Sequence, residues 1–350
     1  MNVGHPLGGL VDTLDGVRRQ ALALTLRTRL SWLVVERDRR LGVQASVGVF
    51  VTFLLAALFP MTLVSVSPAL LGVPHVASDI RYLVLRRRLP ETWLRVTVLF
   101  GSLLFVLRAV EGATAMQLGR LEVVLAAGWL LAATWIGAGR AHPFRALAIA
   151  SGAVALAALA FMHPHASRVA FAHLHNVVGI VVWVALFRRS RRAAIAPILL
   201  ASALTGILLG GATLDHALAH PSLGLSLERL ATVLAPGLEH TRLGLGITLS
   251  YVYLQGVHYA VWLGWIPQDD VKGEGTITFR MSLKSAVADF GPRGIRLVLL
   301  ASLAMLVASA WDLQLSRSAY LSLATFHGYL ELATLTLFLA RPRVGASLPA

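Results

Sequence analysis

Residues 44–66 read QASVGVFVTFLLAALFPMTLVSV, twenty-three positions without a charged side chain. An uncharged apolar run of that length fits one passage through a bilayer, whose hydrocarbon core takes about 20 residues of α-helix. At its end Ser65, Val66, Ser67 and Pro68 predict a tight turn, because proline cannot continue a helical hydrogen-bond ladder. A second run follows at 69–86. Others lie at 94–110, 119–138, 145–162, 169–187, 194–212, 243–265, 294–312 and 318–340. Composition agrees with this reading. Of 350 residues, 57% are hydrophobic and only 14% charged, where a soluble domain carries about a quarter. The expected fold is all-α: a polytopic integral-membrane helical bundle of about ten transmembrane helices.

The formal charge of +14 does not point to nucleic acid, whose readers gather basic residues on a soluble face. Here they fall in short blocks between apolar runs. Arg86–Arg88, Arg140 with Arg145, Arg188 to Arg192, Lys272 to Arg296, and Arg341 with Arg343 alternate with sparser loops holding Arg120, Arg168, Arg229, Arg242 and Arg317. The positive-inside rule then puts both termini in the cytoplasm, and the expected location is a bacterial inner membrane. Residues 1–43 form an interfacial amphipathic segment with Leu10, Leu14, Val17 and Leu24 among arginines. Residues 44–340 are the transmembrane domain and 341–350 a cytoplasmic tail. The polar start predicts no signal peptide. The sequence contains no cysteine, which excludes disulfides, thiolate metal sites, iron–sulfur clusters and covalently attached haem.

Against this apolar background a few ionisable residues stand out, and inside a membrane such groups are functional-site candidates. His75 and Asp79 share one helical face four residues apart, as do His327 and Glu331. His175 and His258 lie in two further runs. At ~1.5 Å rise per residue, His75, His175 and His327 fall within roughly 4 Å outside the midplane, and Asp79, Glu331 and His258 roughly 3–6 Å on the cytoplasmic side. Imidazole is the commonest transition-metal ligand, and a carboxylate either ligates or orients a ligand's second nitrogen. The expectation is a metal centre on His75, His175, His258 and His327, with Asp79 and Glu331 as ligands or orienters. His173 is a further candidate ligand, and Asn176, Gln255, Tyr251 and Tyr259 are candidate outer partners. Iron is the leading metal; zinc, copper and manganese suit the same donors. One ion on four histidines and a dinuclear His/carboxylate centre both fit the spacing. His163, His165, Asp215, His216 and His220 read as outer-loop residues, Glu239 and His240 as lining an entrance or capping a helix, and His5 and His142 as exposed.

Gly72-Val-Pro-His75-Val-Ala-Ser-Asp79 resembles the Gly-x-Pro-His-Gly-x-x-Asp motif of the bacteriorhodopsin-related-protein family of membrane beta-carotene dioxygenases, with Val76 at the second glycine. The resemblance implies a non-haem iron held by histidines in a multi-helix membrane protein. His75 looks like that family's first ligand, with Asp79 as its partner. His175 or His173 stands for a ligand on a middle helix and His258 for one on a late helix, while His327 with Glu331 is similar to the closing His-and-acid segment. The function expected is therefore a metal-dependent membrane oxygenase acting on an apolar lipid- or carotenoid-like molecule. A haem b or quinone-linked electron carrier, needing only two of the histidines, and a transporter with a His/carboxylate relay are the alternatives.

Overall fold

The computed structural model describes residues 6–29, 31–87, 89–114, 116–138, 142–187, 189, 191–270, 275 and 277–341. His5, Arg88, Arg140, Arg188, Lys272, Arg343 and the tail from 342 lie outside the described residues. Among those described, the chain is helical: α1 (Pro6–Leu26), α2 (Trp32–Val35), α3 (Arg37–Leu58), α4 (Pro60–Ser67), α5 (Val73–Ile80), α6 (Glu91–Thr114), α7 (Gly119–Ala138) and α8 (Pro143–Met162) come first. Then follow α9 (Pro164–Leu186), α10 (Arg191–Leu209), α11 (Leu214–Ala219), α12 (Leu227–Leu234), α13 (Arg242–Ala260), α14 (Phe279–Trp311), α15 (Leu313–Leu323) and α16 (Thr325–Ala340). Three π-helical stretches, Pro68–Gly72, Arg81–Leu85 and Val261–Trp265, prolong α4, α5 and α13. Nine helices among the described residues are long and apolar enough to cross a membrane.

The first apolar run divides differently from the sequence expectation. The chain breaks at Phe59 (φ −135°, ψ 50°), and Pro60 opens α4 at its first position, where its missing N–H costs nothing. Pro68 makes no turn. It sits inside one continuous span, Pro60–Leu85, where the π-helical stretch it begins gives the ring room that a regular turn would deny it. The first span likewise starts at Arg37, inside the stretch expected to be interfacial.

The chain forms two compact units, with boundaries inside α5, between Ser78 and Asp79, inside α9, between Val178 and Gly179, and in the first turn of α15, between Leu313 and Gln314. The first unit holds residues 1–78 and 179–313. Its centre is α13, packed by α3, α4, α10 and α12. Thirteen of its nineteen residues are buried, including Ser250, Tyr251, Tyr253, Gln255, His258 and Tyr259. A helix enclosed by protein needs no apolar face for lipid, which explains why α13 is polar enough to fall outside the nine. Trp183 and Trp265 pack at 5.1 Å, and Phe53 meets Tyr253 edge-on at 6.1 Å. At the other extreme, α14 buries none of its side chains and kinks at Gly291 (φ 69°), the left-handed region that glycine tolerates. Its start is tied to α1: Asp15 accepts from the N–H groups of Phe279 (2.9 Å) and Arg280 (3.1 Å), and Thr278 accepts from Met281 (3.0 Å). Three donors left over at the helix start thus find partners.

The second unit holds residues 79–178 and 314–350. There α16 packs on α6, α7, α8 and the Arg81–Leu85 stretch, and α7 packs on α6 and α8. Trp93, Leu104, Trp129, Ala133, Leu330 and Leu337 are its buried apolar core, with Phe100 stacked on Trp129 at 6.2 Å. α8 buries no side chain and is one of the nine helices long and apolar enough to cross a membrane.

Candidate metal centre

Each unit gathers its own imidazole pair. In the first, α5 presents His75 and α13 presents His258, both 1% exposed, with Nε2 atoms 2.8 Å apart. The rings meet edge-on at 4.7 Å, and Tyr259 packs 5.0 Å from His75. Gln255 donates to the Tyr259 hydroxyl at 3.3 Å. One residue before the unit boundary, Ser78 donates to the Trp262 carbonyl at 2.8 Å, anchoring α5 to the π-helical stretch that follows His258. π-helical turns concentrate at functional sites, and here they flank α5 on both sides and close α13. Room for His258 comes from α9: a Cβ at Gly179 would stand 2.5 Å from its Nδ1 and 3.1 Å from Trp262 Nε1. Gly179→Ala is therefore expected to lower the thermal stability of detergent-solubilised protein by roughly 1–3 kcal/mol, the cost of overpacking. Gly152→Ala, with nothing within 4 Å of its Cβ, is the control and should gain slightly from helix propensity. Equal melting behaviour of the two would refute the packing account.

In the second unit, His175 on α9 and His327 on α16 face one another with Nε2 atoms 2.9 Å apart. The Ala324 carbonyl accepts from His327 Nδ1, so the proton belongs on that nitrogen and the lone pair on Nε2. Glu331 Oε2 stands 3.2 Å from His175 Nδ1, and an acceptor there favours the same neutral tautomer. Two Nε2 lone pairs then converge at a distance that two neighbouring ligands, each about 2.1 Å from one metal, would have. Asp79 and Glu331 are fully buried, and they bring carboxylate oxygens within 4.8 Å of one another. Buried like charges at that spacing call for a cation or a proton between them. Gly328, one residue after His327, lets α9 approach, since a Cβ there would stand 3.0 Å from His175 Nδ1 and 2.7 Å from Phe171.

The other expected residues distribute as follows. Asn176 and Tyr251 are buried, in the second and first unit respectively. His173 is half-buried, and among the described residues no set of three ligand atoms within 4.8 Å includes it. His163 is the one residue between α8 and α9, and His165 lies in the first turn of α9 rather than in a loop. His216 bonds the Leu58 carbonyl at 2.9 Å and His220 bonds the His216 carbonyl at 2.8 Å, so this pair ties down backbone. Thr241, not Glu239 or His240, caps α13 by accepting from Gly244 at 3.0 Å.

A second polar cluster escaped the sequence reading. Around the turn between α6 and α7, Arg168 reaches Glu111 (2.8 Å) and Glu122 (2.8 Å), and Arg108 pairs with Glu111 and stands 3.4 Å from Glu122. Tyr329, between His327 and Glu331 on α16, donates to Glu122 at 3.0 Å and stacks on Phe171 at 4.3 Å. Phe171 lies one turn before His175, so this cluster fixes the two helices that carry the second imidazole pair. The signal was a tyrosine inside the His327–Glu331 motif, but its partner is over two hundred residues away. Comparison with family models, curated proteins and solved structures finds no match to this chain.

Proposed function

We propose that the chain is an integral-membrane, histidine-ligated metal oxygenase, with non-haem iron the leading metal and an apolar lipid- or carotenoid-like molecule the substrate. The observation that carries this reading is the His175–His327 pair, its Nε2 atoms 2.9 Å apart, with Glu331 behind it at 3.2 Å. In the second unit His175 and His327 would hold the metal, with Glu331 and Asp79 as ligands or orienters; in the first, His75 and His258 offer an equivalent pair. Nitrogens this close suit neighbouring ligands of an ion, whereas axial ligands of a haem need the macrocycle between them. Bound iron would supply O2 binding and activation. The chain's own residues bind it, orient the imidazoles, and exclude water with the surrounding aromatic and aliphatic side chains. The nine membrane-length helices, with α13 and its extension as a tenth, are proposed to cross a bacterial inner membrane with both termini cytoplasmic. The carotene-dioxygenase resemblance around His75 and Asp79 supports the substrate class.

Elemental analysis and an absorption spectrum of purified protein test this. Wild type should retain about one transition-metal equivalent or more per chain, and His175→Ala/His327→Ala should lose most of it while remaining folded by circular dichroism. His75→Ala/His258→Ala, made in parallel, reads the first unit's pair. Metal far below one equivalent and unchanged in both variants would end the proposal. A Soret band would replace it with the haem reading, and metal-free proton movement in liposomes with the relay.

A further inference from the structure

We propose that the arginine-bearing ends of α3 and α10 form a binding site for one anionic glycerophospholipid. A cleft of about 820 Å3 opens there, entirely within the first unit, between α2 and the first turns of α3 and α10. Its lining mixes Trp32, Arg39 and Arg192 with the apolar Val43 and Ala196. Both acids lining the cleft have a guanidinium beside them: Glu36 pairs with Arg39 at 2.9 Å, and Asp38 shares Arg37, 3.1 Å away, with Asp269. Arg37 is 3% exposed. Arg192 is exposed and makes no ion pair among the described residues, so of the three arginines lining the cleft against two acids it is the one available to a ligand. The N-terminal turn of α3 adds to it. Its N-cap residue Glu36 makes no side-chain capping bond, and the start of a 22-residue helix carries roughly half a positive charge, which Asp38 in the first turn offsets in part.

The mixed lining selects the ligand. A free anion would use the guanidinium but not the apolar lining, and a hydrocarbon would use the apolar lining but not the guanidinium. A phosphodiester on an acyl glycerol uses both. The cleft also lies where membrane-length spans Arg37–Leu58 and Arg191–Leu209 begin, the depth at which headgroups lie and indoles such as Trp32 prefer to sit. A net negative headgroup is favoured over a zwitterionic one, because each exposed cation at an anionic leaflet adds about 1 kcal/mol.

The test uses the full chain purified in neutral detergent, with thermal stability recorded against phosphatidylglycerol, phosphatidylcholine and inorganic phosphate. Phosphatidylglycerol should stabilise saturably and the other two much less. Arg192→Gln should weaken its apparent affinity about fivefold, the loss of one interfacial charge. Ala196→Phe, which crowds the apolar lining and leaves the charges alone, should weaken it as well. Arg191→Gln removes the neighbouring charge, whose Nε is occupied by the Val184 carbonyl at 2.9 Å and which is outside the cleft; it should change affinity by less than about twofold. Equal weakening by Arg191→Gln would mean diffuse surface charge and overturn the site. Equal stabilisation by phosphatidylcholine would remove the anionic selectivity, and a match by inorganic phosphate would replace the lipid by a free anion.

Discussion

Glu331→Gln is expected to lower the affinity for bound transition metal by roughly ten- to a hundredfold, the usual effect of losing a group that orients a ligand. Glutamine keeps the size and one acceptor oxygen, so the helix packing around this fully buried position should survive. What disappears is the negative charge 3.2 Å from His175 Nδ1, which raises the donor strength of the opposite nitrogen. It also removes one of the two carboxylates that would neutralise the cation. Competition with a chelator of known affinity measures the change on folded protein. Because imidazole and carboxylate ligands must be deprotonated to bind, wild type should also release metal as the pH is lowered, and the variant should release it at higher pH. Affinity within about twofold of wild type, at every pH, would remove Glu331 from the metal's surroundings.

The largest stability effect is expected at Glu122, which lies outside the proposed metal-binding groups. The side chain is 2% exposed and accepts from Arg168 and Tyr329, with Arg108 at 3.4 Å. Together with Glu111 it balances two arginines at the ends of α6, α7 and α9. Glu122→Ala leaves those guanidiniums with one carboxylate, and breaking a buried pair by removing one partner costs on the order of 3–5 kcal/mol. Arg168 is one-third exposed and recovers some hydration, which points to the lower end. Tyr329→Phe removes only the hydroxyl and keeps the Phe171 stack, so about 1 kcal/mol is expected. Thermal unfolding in detergent compares the three proteins. A Glu122→Ala protein as stable as Tyr329→Phe would show that the cluster is solvated rather than structural.

Much of the helical architecture was legible in the chain because a bilayer imposes a length and a composition on each span. The boundaries were less so. Pro68 reads as a stop in any sequence, yet the helix passes through it by widening to a π-helical turn, a backbone option that residue identity does not encode. The opposite error affects α13, whose buried tyrosines, Gln255 and His258 lower its hydropathy because protein, not lipid, surrounds it. Arg81, inside the span Pro60–Leu85, is likewise buried, and it donates to the Tyr82 hydroxyl at 3.0 Å.

The spacing of His75 from Asp79 and of His327 from Glu331 was determined by sequence alone, since four residues along a helix return to the same face. Which imidazole meets which was decided only by tertiary structure. His75 finds His258, and His175 finds His327, 183 and 152 residues apart. Helical period orients side chains around one axis but carries no information about which axes adjoin; that depends on where packing permits close approach, as at Gly179 and Gly328. The clamp of Glu122 on Tyr329 belongs to the same class, for its partners share neither a helix nor a motif.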